Sequence, residues 1–346
     1  MGKLIDGKDL TSDEAAGAMS EIMSGTATPA QIAGFLVALR IKRATVEEIV
    51  AMVKMMRSYS VRIVPSVDPP LVDIVGTGGD TIKTINISTI ASFVVAAAGI
   101  KVAKHGNRAA SGKCGSADVL ERLGYKLDTA PEVVKGAIEN VGIGFMFAPI
   151  FHPAMKNAAV PRKEIGVGTT FNLLGPLANP AGADSLVIGV PTLVLVEQIA
   201  KCLRELGTKN AIVLHGIDGL DEFSTIGNTH VIQLHDGAFQ ARMYEPADLG
   251  LKKASVQDIV GGDVETCAKA ACMILSNRMK DDAKTQAIIA NAAAGFVVAG
   301  KAKDLKEGAQ IAAETLNSGK CLAKLKEMIS YTGGDISKIE QFETAN

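Results

Sequence analysis

At 346 residues and 47% hydrophobic content, the chain can bury a sizeable core as one large domain or two. A formal net charge of −1, aromatics at 4% and no tryptophan argue against a nucleic-acid partner, which draws on a basic excess and on stacking surfaces. No apolar run reaches membrane-spanning length, no leader-type segment opens the chain, and five cysteines without a C-x-x-C pair read as reduced thiols. A cytoplasmic protein with no membrane partner is therefore expected.

Three helix starts of one kind open the chain. Thr11 with Glu14, Thr28 with Gln31 and Thr45 with Glu48 each place a hydroxyl at the cap and a Glu or Gln three residues on, the reciprocal capping box. Apolar residues at Ile32, Phe35, Leu36 and Leu39, then at Ile49, Met52, Val53 and Met56, trace one face of a 3.6-residue period. A bundle this small has little core of its own, so it is expected to pack on the larger part of the chain, on a second copy of itself, or on both. Pro65, Pro69 and Pro70 then break any helix and mark the hinge to the main domain.

Beyond the hinge, β-rich runs at 71–75, 100–104, 186–190 and 211–215 alternate with helical segments at 91–99, 116–123 and 194–207. That alternation predicts a mainly parallel sheet with helices on both faces, an α/β fold that binds ligands at the carboxyl ends of its strands. Residues 229–234 and 239–244, joined across Asp236-Gly237, read as an added hairpin, and 264–329 as helical.

The first strand runs into Gly76-Thr77-Gly78-Gly79-Asp80, with Thr84, Asn86, Ser88 and Thr89 ahead of a helix over 90–98. Glycine tolerates positive φ and lets an anion approach successive backbone N–H groups, and the helix start adds unpaired N–H groups of its own. An ordinary capped strand-to-helix turn is the competing reading. After the second strand, residues 104–116 gather two lysines, an arginine, an asparagine, serines and glycines, a second loop for phosphates, with Ser116 placed to cap the following helix. A solvated basic loop is the alternative there. Arg162, near Phe147, Phe151 and Pro176 in sequence, suits bidentate recognition of a carboxylate on a flat ring, although a lone arginine also serves as a surface ion pair. Asp221 and Glu222, adjacent after a strand, suit Mg²⁺, which takes few protein ligands; helix-capping acids would read the same way.

These segments resemble the anthranilate phosphoribosyltransferase family nearly end to end. The resemblance rests on GTGGD at 76–80, NIST at 86–89, KHGNRAASGKCGSADVLERLG at 104–124, FAPIFHPAMK at 147–156, FNLLGPLANPAGA at 171–183 and HGIDGLDE at 215–222. It implies a nucleoside phosphorylase/phosphoribosyltransferase-like fold: a small α-helical domain over 1–64, completed by helices from about 155–182, on a large α/β domain over 71–346, paired as a homodimer through the helical part. It implies transfer of the 5-phosphoribosyl group of phosphoribosyl pyrophosphate to the amine of anthranilate, with Mg²⁺. By motif, Gly79, Asp80, Thr84, Asn86, Ile87, Ser88 and Thr89 hold the donor. Lys104, His105, Gly106, Asn107, Arg108, Ala109, Ala110, Ser111, Gly112 and Ser116 join them. Ser88, Asp221 and Glu222 hold Mg²⁺. Gly76, Asn107 and Arg162 contact anthranilate, His105 and His152 line its access path, and His105 and Arg162 are the catalytic candidates. Thr81, Ile85 and Gly168 depart from residues common at those places, a glycine, an aromatic and an arginine.

Two other readings compete. A nucleoside phosphorylase would share the architecture but needs a serine and lysine after the glycine turn that are not evident here. A nucleic-acid-binding relative without activity would lose the acid pair or Arg162 and gain basic surface, and this chain keeps both and is near neutral.

Overall fold

The computed structural model describes residues 1–79, 82–109 and 114–344. All three capping boxes form: Thr11, Thr28 and Thr45 accept from the third residue's N–H while Glu14, Gln31 and Glu48 return to the cap N–H, starting helices Ser12–Ser24, Pro29–Lys42 and Val46–Ser58. Glu48 does more than cap. It is fully buried, and its second oxygen accepts from Leu10 N at 2.8 Å while Lys42 Nζ lies 2.8 Å from the first. One carboxylate thus ties three segments of the bundle together, which makes its burial tolerable.

Helices Lys156–Ile165 and Phe171–Leu177 return to this bundle and pack against its helices. The apolar core they share, including Leu36, Ile49, Met52, Phe171 and Leu174, continues through Val196, Ile199 and Leu203 of helix Leu193–Glu205 onto one face of the sheet. The bundle therefore packs on the larger part of its own chain.

The sheet has strands β1 (Leu71–Gly76), β2 (Lys101–Gly106), β3 (Ile143–Phe147), β4 (Ser185–Gly189), β5 (Asn210–Gly216), β6 (Thr229–His235) and β7 (Ala238–Tyr244), in the order β3-β2-β1-β4-β5-β6-β7. The first five run parallel, and β6 and β7 form the antiparallel hairpin at one edge. Side chains of the central strands divide by parity: Leu186, Ile188, Ala211 and Val213 face the bundle side, and Val187, Ile212 and Leu214 the other. On that other face lie helices Ile87–Ala97, Val264–Leu275, Ala283–Val298, Leu305–Asn317 and Lys320–Tyr331. Strand β3 is absent from the expectations drawn from sequence. Gly144 interrupts its short apolar run, and the structure shows why: a Cβ there would stand 2.7 Å from Val134 O of helix Pro131–Asn140.

Chain order reverses between β1 and β4, since β2 and β3 are laid to one side and β4 and β5 to the other. The crevice outside the carboxyl ends of these two strands is the topological switch point, where open α/β sheets bind ligands.

Candidate active site

Gly76 and Gly189, the last residues of β1 and β4, face each other in register at the switch point. Their missing side chains make a notch for the loop after β5. A Cβ on Gly76 would stand 2.6 Å from Asp221 Oδ2, and one on Gly189 would stand 1.7 Å from the Asp221 carbonyl oxygen. Gly76 thus serves close approach rather than an unusual backbone angle. Positive φ enters at Gly78 and Gly79, at 71° and 94°, where the chain turns away from the strand.

The acid pair is seated on the main chain of the glycine turn and of the helix start that follows it. Gly78 N donates to Asp221 Oδ2 at 2.7 Å, and Ser88 N, in the first turn of helix Ile87–Ala97, donates to Glu222 Oε1 at 3.2 Å. Two N–H groups that sequence assigns to an anion are held by the chain's own carboxylates, as expected where a loop and a helix N-terminus concentrate partial positive charge.

The second loop follows the same pattern. Gly115 N and Ala109 N both donate to Asp118 Oδ2, at 2.9 and 3.0 Å. Gly115, not Ser116, is the cap of helix Ser116–Arg122, because a Cβ at 115 would meet Ala109 N at 2.3 Å. The expectation that Ser116 caps this helix is corrected: its hydroxyl accepts from Thr89 Oγ1 at 2.9 Å, joining the two loops. Arg108 reaches outward to Asp118 and Glu121, each at 2.8 Å, with Phe147 beneath its guanidinium. These hydrogen bonds, Glu121's first, raise its already high pKa. Asn107 is exposed, and its side-chain oxygen accepts from Arg108 N at 2.8 Å. A Cβ on Gly106 would press on Phe145 at 2.7 Å.

Other predicted donor residues sit differently. Thr84 forms an antiparallel bridge with Val260, so the loop is braced from the segment before helix Val264–Leu275. Asn86 opens helix Ile87–Ala97 without a side-chain cap and instead donates to Cys114 O at 3.3 Å. Ile87 has its side chain in the core, 1% exposed, and its N–H is given to Ile85 O at 2.8 Å. Lys104 is also withdrawn from the surface. Its ammonium is buried and donates to Ile74 O at 2.6 Å and His105 O at 3.2 Å. Burial lowers its pKa, opposed by the charges of Asp73 and Glu222. Asp80, Thr81, Ala110, Ser111 and Gly112 lie outside the described residues.

Asp73, buried in β1, was missed by sequence reasoning. It accepts from His105 N at 3.2 Å and from Asn179 Nδ2 at 2.7 Å, and Asn179 also donates to Ala103 O. A single carboxylate so joins the first strand, the second loop and the segment after helix Phe171–Leu177. Burial raises its pKa, opposed first by Lys104. The only signal in sequence was a carboxylate inside an otherwise apolar strand run.

His105 and His152 stack at a tilt, ring centroids 5.1 Å apart, and both are buried. Among the described residues, His105 Nε2 and both ring nitrogens of His152 have no hydrogen-bond partner. Desolvation pulls His105 down to about 3, aided by His152 and Lys104, and His152 down to about 4. Both imidazoles are neutral near pH 7 and present unsatisfied nitrogens. Arg162, in the last turn of helix Lys156–Ile165, donates to Asn172 Oδ1 at 3.3 Å, and burial lowers its pKa. Among the described residues that is its one side-chain hydrogen bond, which leaves most of the guanidinium's five donors for a planar acceptor.

Comparison with known proteins agrees with this geometry. Residues 68–322 match the family model for the glycosyl transferase family a/b domain, and residues 1–60 that for its helical bundle domain. The anthranilate phosphoribosyltransferase of Dehalococcoides mccartyi is 49% identical over 334 residues, 96% of this chain and 97% of that protein. The crystal structure of the Thermus thermophilus anthranilate phosphoribosyltransferase is 42% identical, with a TM-score of 0.89 over 96% of this chain and 98% of that one. The Saccharomyces cerevisiae enzyme in complex with PRPP and Mg is 27% identical, with a TM-score of 0.85 over 94% of each chain.

Proposed function

We propose, for a chain that belongs to the anthranilate phosphoribosyltransferase family, that the switch-point crevice transfers the phosphoribosyl group of phosphoribosyl pyrophosphate to the amine of anthranilate and releases pyrophosphate. The observation that carries this reading is the seating of Asp221 and Glu222 on Gly78 N and Ser88 N, which brings the glycine turn, the helix start of the same loop and an acid pair together.

The donor's phosphates compete for these same N–H groups. Phosphate oxygens that took them over would free the two carboxylates, which with the Ser88 hydroxyl would hold a divalent ion. The donor set fits Mg²⁺: hard oxygens from Asp221, Glu222 and the Ser88 hydroxyl, few enough that water and phosphate complete the shell. When bound there, Mg²⁺ supplies charge neutralisation for the departing pyrophosphate.

Bond breaking at C1 leaves positive charge on the sugar, and the loop N–H groups stabilise the complementary negative charge in a partly desolvated site. On the other side of the crevice, Arg162 holds the carboxylate of anthranilate, while neutral His105 and His152 wall its ring. An aromatic amine is unprotonated near neutral pH and needs no strong base before attack, and an imidazole with a pKa of about 3 is not one. His105 therefore works by positioning the amine against C1, as Arg162 does.

The same reading has the chain act as a cytoplasmic homodimer joined through the helical bundle. Ile5 and Ile41 are 73% and 77% exposed on that bundle, beside partly exposed Val37, and all five cysteines are free. Its two structural parts are 1–64 with the helices of 155–182, and 71–346. Mixing purified protein with anthranilate, phosphoribosyl pyrophosphate and Mg²⁺ tests the activity: anthranilate fluorescence is expected to decay, and only when Mg²⁺ is present. A steady signal with all three components overturns the reading.

A further inference from the structure

Helix Ala283–Val298 is among the most apolar in the chain, with Ile288, Ala290, Ala292, Ala293, Ala294 and Phe296 fully buried. Asn291 stands in the middle of it, also fully buried. A carboxamide in such surroundings costs several kcal/mol unless its hydrogen bonds are made. Both of its N–H donors and its oxygen are engaged. Asn291 Oδ1 accepts from Phe223 N at 2.9 Å, and Nδ2 donates to Phe223 O at 3.2 Å and to Ala287 O at 2.9 Å. The side chain grips both polar groups of one residue, as a neighbouring strand would, and that residue directly follows Glu222.

We propose that Asn291 is a positioning residue for the acid pair: it fixes the main chain at Phe223 so that Asp221 and Glu222 project into the switch-point crevice. This rests on the assignment of Mg²⁺ to that pair. The helix is an apt anchor because it packs on β1, β4 and β5, the strands that bound the crevice. A second tie crosses the loop: Asp218, ahead of the acid pair, accepts from Leu220 N at 3.3 Å through Oδ1 and from Ser224 Oγ, just past Phe223, at 2.5 Å through Oδ2. Between these two clamps, Asp221 presses its carbonyl against Gly189, so the loop has no slack on the sheet side. Loss of the Asn291 clamp removes the tie between the helix and Phe223, the residue after Glu222.

The test measures Mn²⁺ binding by electron paramagnetic resonance in the presence of phosphoribosyl pyrophosphate, alongside steady-state kinetics and thermal melts, for wild type, Asn291→Ala and Glu222→Gln. The expected result for Asn291→Ala is a dissociation constant for Mn²⁺ raised at least about tenfold, as is usual when a partner that orients a metal ligand is removed. The KM for phosphoribosyl pyrophosphate is expected to rise with it, and the KM for anthranilate to stay within about twofold. A role limited to stability would lower the melting temperature and leave Mn²⁺ affinity unchanged. If Glu222→Gln weakens Mn²⁺ binding and folded Asn291→Ala does not, the proposal is overturned while the metal assignment stands. If Glu222→Gln itself leaves Mn²⁺ binding unchanged, the metal assignment fails and takes the proposal with it. Should Asn291→Ala not fold, Asn291→Ser, which stays polar but is too short to reach Phe223, is judged by the same criterion. Failure of both to fold overturns the proposal, since stability alone then accounts for the residue.

Discussion

The two sides of the proposed site are made of different material. The donor side is main chain: Gly78, Ser88, Ala109 and Gly115 offer N–H groups, and nearby carboxylates hold those groups in place. The acceptor side is side chain: Arg162, His105 and His152 are drawn from a helix end, a strand end and a connecting turn, and burial sets their chemistry. A main-chain site depends on close approach and so fails when a Cβ is added. A side-chain site depends on desolvation and so fails when a group is removed or charged.

The largest break is expected on the donor side. Gly189→Ala brings a Cβ to within 1.7 Å of the Asp221 carbonyl oxygen, backbone against backbone, where nothing flexible can yield. Overpacking of this kind costs about 3 kcal/mol, and displacing the acid pair by about an ångström lowers kcat/KM by about a hundredfold. Thermal melting and initial rates read the two effects separately, and wild-type rates in this variant would deny that the notch matters.

On the acceptor side, Arg162→Ala removes a charged hydrogen-bond donor and should raise the KM for anthranilate about thirtyfold, with that for the donor changed less than about twofold. Equal losses for both substrates would erase the distinction between the sides. The histidines sharpen it through pH. Unfolded imidazole binds a proton near 6.5, whereas His105 and His152 resist protonation until about 3 and about 4. Between those values the unfolded chain holds more protons, so stability is complete above pH 6.5 and falls as the pH drops below it. The slope approaches about 1.4 kcal/mol per pH unit for each histidine. Urea unfolding at pH 7, 6 and 5 measures this slope, and His105→Asn with His152→Gln should flatten it. The smallest effect is expected from Glu121→Gln. This exposed partner of Arg108 contributes less than about 0.5 kcal/mol, detectable only as a slight shift in the urea midpoint.

The same difference explains what could be read from the residues alone. Capping boxes, the Asp236-Gly237 hairpin and the glycine turn are local, and local spacing is enough to specify them. The acid pair and Arg162 were visible as residue types. Their surroundings were not: nothing near Gly76 in sequence says that Asp221 fills its missing side chain, and nothing near His105 says that its ring is dry. Asp73, Asn179 and Asn291 were passed over because each stands alone among apolar or loop residues, and its partners lie on distant segments. Motif position likewise does not say that the Ile87 side chain is core or that the Lys104 ammonium is turned under its own loop.

Strand order has a consequence for how the molecule is made. The chain leaves the ribosome with β1, β2 and β3 in hand, and these can pair at once; β4, the other neighbour of β1, follows only after the helices of 156–177. β1, an interior strand of the finished sheet, is thus a raw edge for much of its synthesis. Its late closure by β4 is also the event that brings Gly189 opposite Gly76, so ligand-binding competence is among the last properties a newborn chain acquires.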